Sequence, residues 1–149
     1  MPRTPNVIRA TWAGEQRFDT NRPDGVVARL DGSGTSGQSP PDALLSSLAA
    51  CSGIDLVDIL AKRRTPVERL EIDVEGDRRE EIPRRFTRLR ITYRVDGAGI
   101  EAVHAERAVA LAFEKYCSVA ASLATDIRVE TVVVVNGATG APVVQALST

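Results

Sequence analysis

Histidine occurs once in this chain, at His104, and cysteine twice, at Cys51 and Cys117, with no CxxC pair. A zinc or iron–sulfur centre needs three or four such ligands at defined spacings, so the sequence offers little from which to build a metal site. An excess of either charge is also missing. Nineteen Lys and Arg stand against 20 Asp and Glu, for a net charge of −1, which removes the global field that draws proteins to nucleic acid or anionic membranes. No uninterrupted apolar run approaches the length of a bilayer span. The opening MPRTPNVIRATW carries no charged patch followed by an apolar stretch, so the expectation is a cytoplasmic protein. In a reducing compartment, two cysteines are free thiols or a transient catalytic pair rather than a structural staple. The reading thus expects no cofactor, no metal, no nucleic-acid partner and no membrane partner.

What is present suits one domain spanning 1–149, because 43% apolar residues can fill a core at this length. The N-terminal quarter reads as short strands over Val7 to Trp12, Arg17 to Thr20 and Val26 to Leu30, broken by Ala13-Gly14-Glu15 and Asn21-Arg22-Pro23-Asp24-Gly25. An antiparallel meander is the simplest outcome. The stretch Gly32-Ser33-Gly34-Thr35-Ser36-Gly37 resembles a phosphate loop, but no Lys-Ser or Lys-Thr completes it, and it reads as a linker over the edge of a site.

Ser39-Pro40-Pro41-Asp42 supplies a capping side chain, prolines and a first-turn acid, which predicts a helix running to about Arg64 before Thr65-Pro66 stops it. Its apolar residues, from Leu44 to Leu60, cover most of the circumference, which predicts burial on nearly every side. A polar row interrupts them: Ser47, Cys51, Asp55, Asp58 and Lys62 share one face. Beyond the helix, Leu70, Ile72 and Val74 alternate with acids, and Leu89, Ile91, Tyr93 and Val95 alternate with Arg88, Arg90, Thr92 and Arg94. Antiparallel pairing across Arg78 to Arg85 would set acids beside arginines. A second helix is predicted over Ile100 to Tyr116, with His104 solvent-facing, then a short helix capped by Cys117 or Ser118. Helix-start amides favour a thiolate there. A final buried strand, Ile127 to Val135, ends at the Asn136-Gly137 turn.

Three phrases, SPPDALLSSLAACSGIDLVDIL, RREEIPRRFT and AVALAFEKYCSVAASL, stand in an order that resembles the OsmC/Ohr family of small thiol proteins, closest to its YhfA-like branch. The resemblance covers nearly the whole chain. It implies an α+β protomer with a curved antiparallel sheet and long central helices, assembled as an intertwined homodimer with its sites near the interface. The all-round apolar helix independently asks for a second chain to cover it. The resemblance further implies a cysteine-based peroxidase of the antioxidant stress response, with Cys51 as nucleophile and Cys117 as the resolving thiol. Its partners would be a small hydrophobic hydroperoxide and an external dithiol reductant.

The family's peroxidase branch steadies its thiolate with an N-terminal arginine held by a glutamate ten residues before the cysteine. Here that position is Pro41. Asp42 is the adjacent candidate to hold the cation, and Arg17 the best-placed arginine, with Arg22 and Arg29 as alternatives. Asp55, one helical turn after Cys51, either opposes the thiolate or, if neutralised, orients the cation; a buried polar tie is the plain structural alternative. Two other functions remain open at this stage: a non-peroxidatic dimeric binding or stress protein for a small hydrophobic ligand, and a thiol enzyme acting on another electrophile.

Overall fold

The computed structural model describes residues 2–147. The chain divides into two compact units, one up to Leu44 and one from Leu45 onward.

In the first unit, β1 (Arg9–Trp12), β2 (Arg17–Asn21) and β3 (Ala28–Asp31) form an antiparallel meander in that order. The β1–β2 turn places Gly14 and Glu15 at positive φ, a conformation that Gly adopts without strain. Arg29 grips Asp19 with two hydrogen bonds, of 2.7 and 3.0 Å. The glycine–serine stretch after β3 differs from the linker expected. The Asp31 carboxylate accepts from the N–H and hydroxyl groups of both Ser33 and Ser36, at 2.7–3.0 Å. Those bonds hold Asp31 well below the usual carboxylate range. The loop is closed on its own acid, and the amides at Ser33 and Ser36 are already spent on it.

The first helix, α1 (Pro40–Lys62), starts where its caps dictate. Ser39 Oγ accepts from the Asp42 N–H at 3.3 Å, and the two prolines occupy positions that need no intrahelical donor. It ends in a Schellman turn: Arg64 adopts a φ of 64°, its N–H donates to Ala61 O, and the Thr65 N–H donates to Leu60 O.

The second unit is a five-stranded sheet of β4 (Arg69–Arg78), β5 (Phe86–Asp96), β6 (Arg128–Val135), β7 (Ala138–Thr139) and β8 (Val143–Gln145). β4 and β5 pair antiparallel with Glu71 opposite Arg94 and Glu75 opposite Arg90. Arg90 reaches Glu75 and Asp77, Arg94 reaches Asp73, and Arg88 reaches Glu130 on β6, so this arginine-rich face neutralises itself. β6 lies parallel to β5, which makes the sheet mixed, and the chain adds β7 and β8 antiparallel to β6 rather than ending there. Within the valine run, Val133 and Val135 are buried while Val132 and Val134 are only half-buried.

The opposite face of the sheet carries the core. Leu89, Ile91, Tyr93, Val95 and Val129 pack with Leu48, Leu56 and Leu60 of α1 and with α2 (Ala102–Leu111). Gly53 lets α1 approach β4 closely, since a Cβ there would lie 2.7 Å from Ile72 Cδ1. α2 widens into a π-helical turn, Ala112–Tyr116, and α3 (Ser118–Ala121) follows.

Two expectations for α1 need correction. Although no uninterrupted apolar run spans a bilayer, α1 as a whole is long and apolar enough to cross one. Within this fold Leu48, Ser52, Gly53, Leu56 and Leu60 serve the core instead. Nor is α1 buried all round in the single chain: Leu44, Ile54 and Val57 are exposed.

Candidate functional site

Cys51 sits half-buried midway along α1, and Cys117 is buried at the junction between the π-helical turn and α3. Cys117 is the N-cap of α3: its backbone is extended, and its Sγ accepts from the Ala120 N–H at 3.4 Å. Its own N–H closes the π turn on Ala112 O at 2.8 Å. Cys51 lies near enough to Cys117 to act on its ionisation. Burial pushes the Cys117 thiol up to about 11; the Ala120 N–H opposes that rise, and the Cys51 sulfur adds to it.

Beneath Cys51, its neighbour Ser52 donates to Leu48 O at 2.8 Å, and Ser52 Oγ also lies 2.7 Å from the Tyr93 hydroxyl. Serine has one proton, already directed at Leu48, so Tyr93 is the donor in the second bond. Burial raises the Tyr93 hydroxyl far above its ordinary value, Ser52 partly offsets this, and Cys117 and Asp55 add to the rise. Tyr93 therefore stays protonated and braces the turn of α1 that carries Cys51.

Asp55 follows one turn later. Its Oδ2 is buried with no hydrogen-bond partner, and burial, reinforced by Asp58, raises its carboxyl above the ordinary value. Asp55 makes no ion pair with an arginine among the described residues. It lines a cleft of about 440 Å³ with Asp58, Ile59, Lys62 and Arg63 of α1 and its end and, from the helix opposite, His104, Arg107, Ala108 and Leu111; Tyr116, the residue before Cys117, completes the lining. His104 is thus not simply solvent-facing: it lines the cleft and lies 3.2 Å from Glu101.

The N-terminal candidates have local partners. Arg17 contacts Ala13 O at 3.3 Å and Glu15 at 3.5 Å, Arg22 reaches Asn6, and Arg29 is held by Asp19. Asp42 is exposed in the first turn of α1 and makes no ion pair among the described residues. The arginines that share a cleft with Asp55 are Arg63 and Arg107, which sequence spacing did not single out. Tyr93 was legible only as a core residue of its strand. The signal was its hydroxyl, since a buried tyrosine needs a polar partner. Among the described residues, no group of three or more potential ligands could hold a metal ion.

The chain resembles known proteins along most of its length. Residues 32–132 match the family profile described as OsmC-like protein. Protein YhfA of Escherichia coli is 38% identical over 116 residues, covering 77% of this chain and 87% of that protein. A hypothetical protein from Aquifex aeolicus superposes with a TM-score of 0.81 at 28% identity, covering 90% of this chain and 98% of the other. The organic hydroperoxide resistance protein OsmC of Legionella pneumophila shares the fold at a TM-score of 0.63 and 18% identity, covering 89% of this chain and 98% of that one.

Proposed function

Because this chain belongs to the OsmC family, in its YhfA-like branch, we propose that it is a thiol-dependent redox protein of the stress response that reduces organic hydroperoxides. The observation that carries this reading is the two neighbouring thiols, with Cys51 the more accessible and Cys117 buried at a helix start.

The Cys51 thiolate attacks the outer oxygen of the hydroperoxide. The O–O bond breaks, the alkoxide leaves and takes up a proton, and Cys51 becomes a sulfenic acid. Cys117 then attacks that sulfur. Hydroxide departs, accepts the Cys117 proton and leaves as water, and a Cys51–Cys117 disulfide remains. An external dithiol returns two electrons by exchange, attacking Cys51 because Cys117 is buried. The Ala120 N–H supports the Cys117 sulfur as it gains charge in this last step. We further read the chain as one OsmC-like domain acting in the cytoplasm as a homodimer, whose second subunit covers Leu44, Ile54 and Val57.

The rival reading, a ligand-binding protein without turnover, draws on Pro41 at the place of the family's clamping glutamate. Variants separate the two. In the redox reading Cys51→Ser abolishes hydroperoxide consumption, whereas Cys117→Ser permits one oxidation and leaves a sulfenic acid at Cys51 that a dione probe traps. An unlabelled, fully reduced Cys117→Ser protein after hydroperoxide treatment favours the rival.

A further inference from the structure

The cleft that begins at Asp55, one helical turn after Cys51, has its charges sorted along α1. Asp55 and Asp58 lie in the two turns after Cys51, and Lys62 and Arg63 lie at the far end. Arg107 is paired with Glu114 and His104 with Glu101, but no carboxylate of the described residues lies within ion-pairing distance of Lys62 or Arg63. Lys62 lies eleven positions after Cys51 on α1, about 16 Å along the axis. Ile59, Ala108 and Leu111 give the intervening wall an apolar character. A ligand lying in this cleft meets acids at the end one helical turn from Cys51, an apolar middle, and unpaired cations at the end remote from it.

We propose that Lys62 and Arg63 form a carboxylate subsite. It selects amphipathic substrates whose anionic group lies about 16 Å from the reacting atom and fixes their orientation, with Asp55 and Asp58 repelling the carboxylate from the thiol end. The inference rests on Cys51 being the reacting thiol. The shared chemistry is a carboxylate on a molecule that reacts at Cys51, and it can belong to the oxidant or to the reductant.

Tethered maleimides test it without any hydroperoxide. The Cys51 thiol adds across the maleimide double bond: an S–C bond forms, the C=C π bond is lost, and the thiol proton ends on the neighbouring carbon. Labelling rates of Cys51 are compared for maleimidoundecanoate, maleimidoacetate and the methyl ester of each. The ratio of acid to ester cancels general changes in reactivity. The long acid should outpace its ester by roughly tenfold, the sum of two exposed charge contacts. The short acid should fall behind its ester, because its carboxylate is held beside Asp55 and Asp58. In Lys62→Gln/Arg63→Gln, and in wild type at high salt, the long-tether ratio should fall to about one. Carboxylated and neutral hydroperoxides, then carboxylated and neutral dithiols, assign the subsite to oxidant or reductant. A long-tether ratio near one in the wild type, a ratio unmoved in the double variant, or no carboxylate preference for either co-substrate would overturn the proposal. Failure of the peroxidase reading shows separately, as thiols that survive hydroperoxide while the maleimide ratios hold.

Discussion

The Tyr93 hydroxyl donates to Ser52 Oγ at 2.7 Å, joining the central strand of the sheet to the residue beside Cys51 across 41 positions of sequence. Removing each partner has unequal consequences. Ser52→Ala leaves a buried phenol without an acceptor and should cost about 1–3 kcal/mol. Tyr93→Phe leaves Ser52 its bond to Leu48 O and should cost less, about 0.5–1.5 kcal/mol. Chemical denaturation of the two variants checks the order. The reverse order would mean that packing, not the hydrogen bond, is what Tyr93 supplies.

Cys117 makes stability fall in alkali. Its folded value near 11 lies above the ordinary 9.0, so between those pH values the native state keeps a proton that the unfolded chain has released. The stabilisation is complete below about pH 9 and lost as pH rises toward 11. Cys117→Ser, which keeps an oxygen to cap α3 and removes the titration, should flatten that decline in reduced protein. Equal slopes for variant and wild type would place the alkaline loss elsewhere.

Asp55 acts in the same sense at lower pH. Burial and Asp58 raise its carboxyl above 3.8, so its contribution to stability is intact below that pH and lost as pH rises through the folded value. Asp55→Asn should therefore raise the unfolding midpoint at pH 7, with the gain vanishing in acid. It should also quicken alkylation of Cys51 at neutral pH, since a negative charge one turn from a thiolate opposes it. Superimposable alkylation profiles would make Asp55 structural only.

The exposed apolar face of α1 bears on assembly. Ile54 is 60% and Val57 39% exposed in the single chain, and in the proposed homodimer the second subunit covers them. Ile54→Glu/Val57→Glu should shift sedimentation from dimer toward monomer at micromolar concentration. A wild-type protein that sediments as a stable monomer would contradict this.

Local chemistry made part of this molecule legible from its sequence. The Ser39-Pro40-Pro41-Asp42 start of α1 and its stop before Pro66 are encoded within a turn or two, and the alternation of acids on one strand with arginines on the next sets their antiparallel pairing. The parallel pairing of β6 with β5 was not legible, because residue alternation is the same in either direction. The loop after β3 carries a local signal of its own: serines two and five residues after Asp31 are placed to bond its carboxylate. At the site, the phrases around Cys51 and Cys117 marked the thiols. Arg63, His104 and Arg107 come to one cleft from separate elements, and no spacing along the chain reports that.

The most direct test of the redox reading counts thiols. Fully reduced protein carries two, Cys51 and Cys117, and is treated with one equivalent of an organic hydroperoxide and, in parallel, of hydrogen peroxide. The organic hydroperoxide should consume both thiols quickly and yield an intrasubunit Cys51–Cys117 disulfide by peptide mass mapping, with hydrogen peroxide slower. Two thiols remaining after prolonged exposure to several organic hydroperoxides would contradict it.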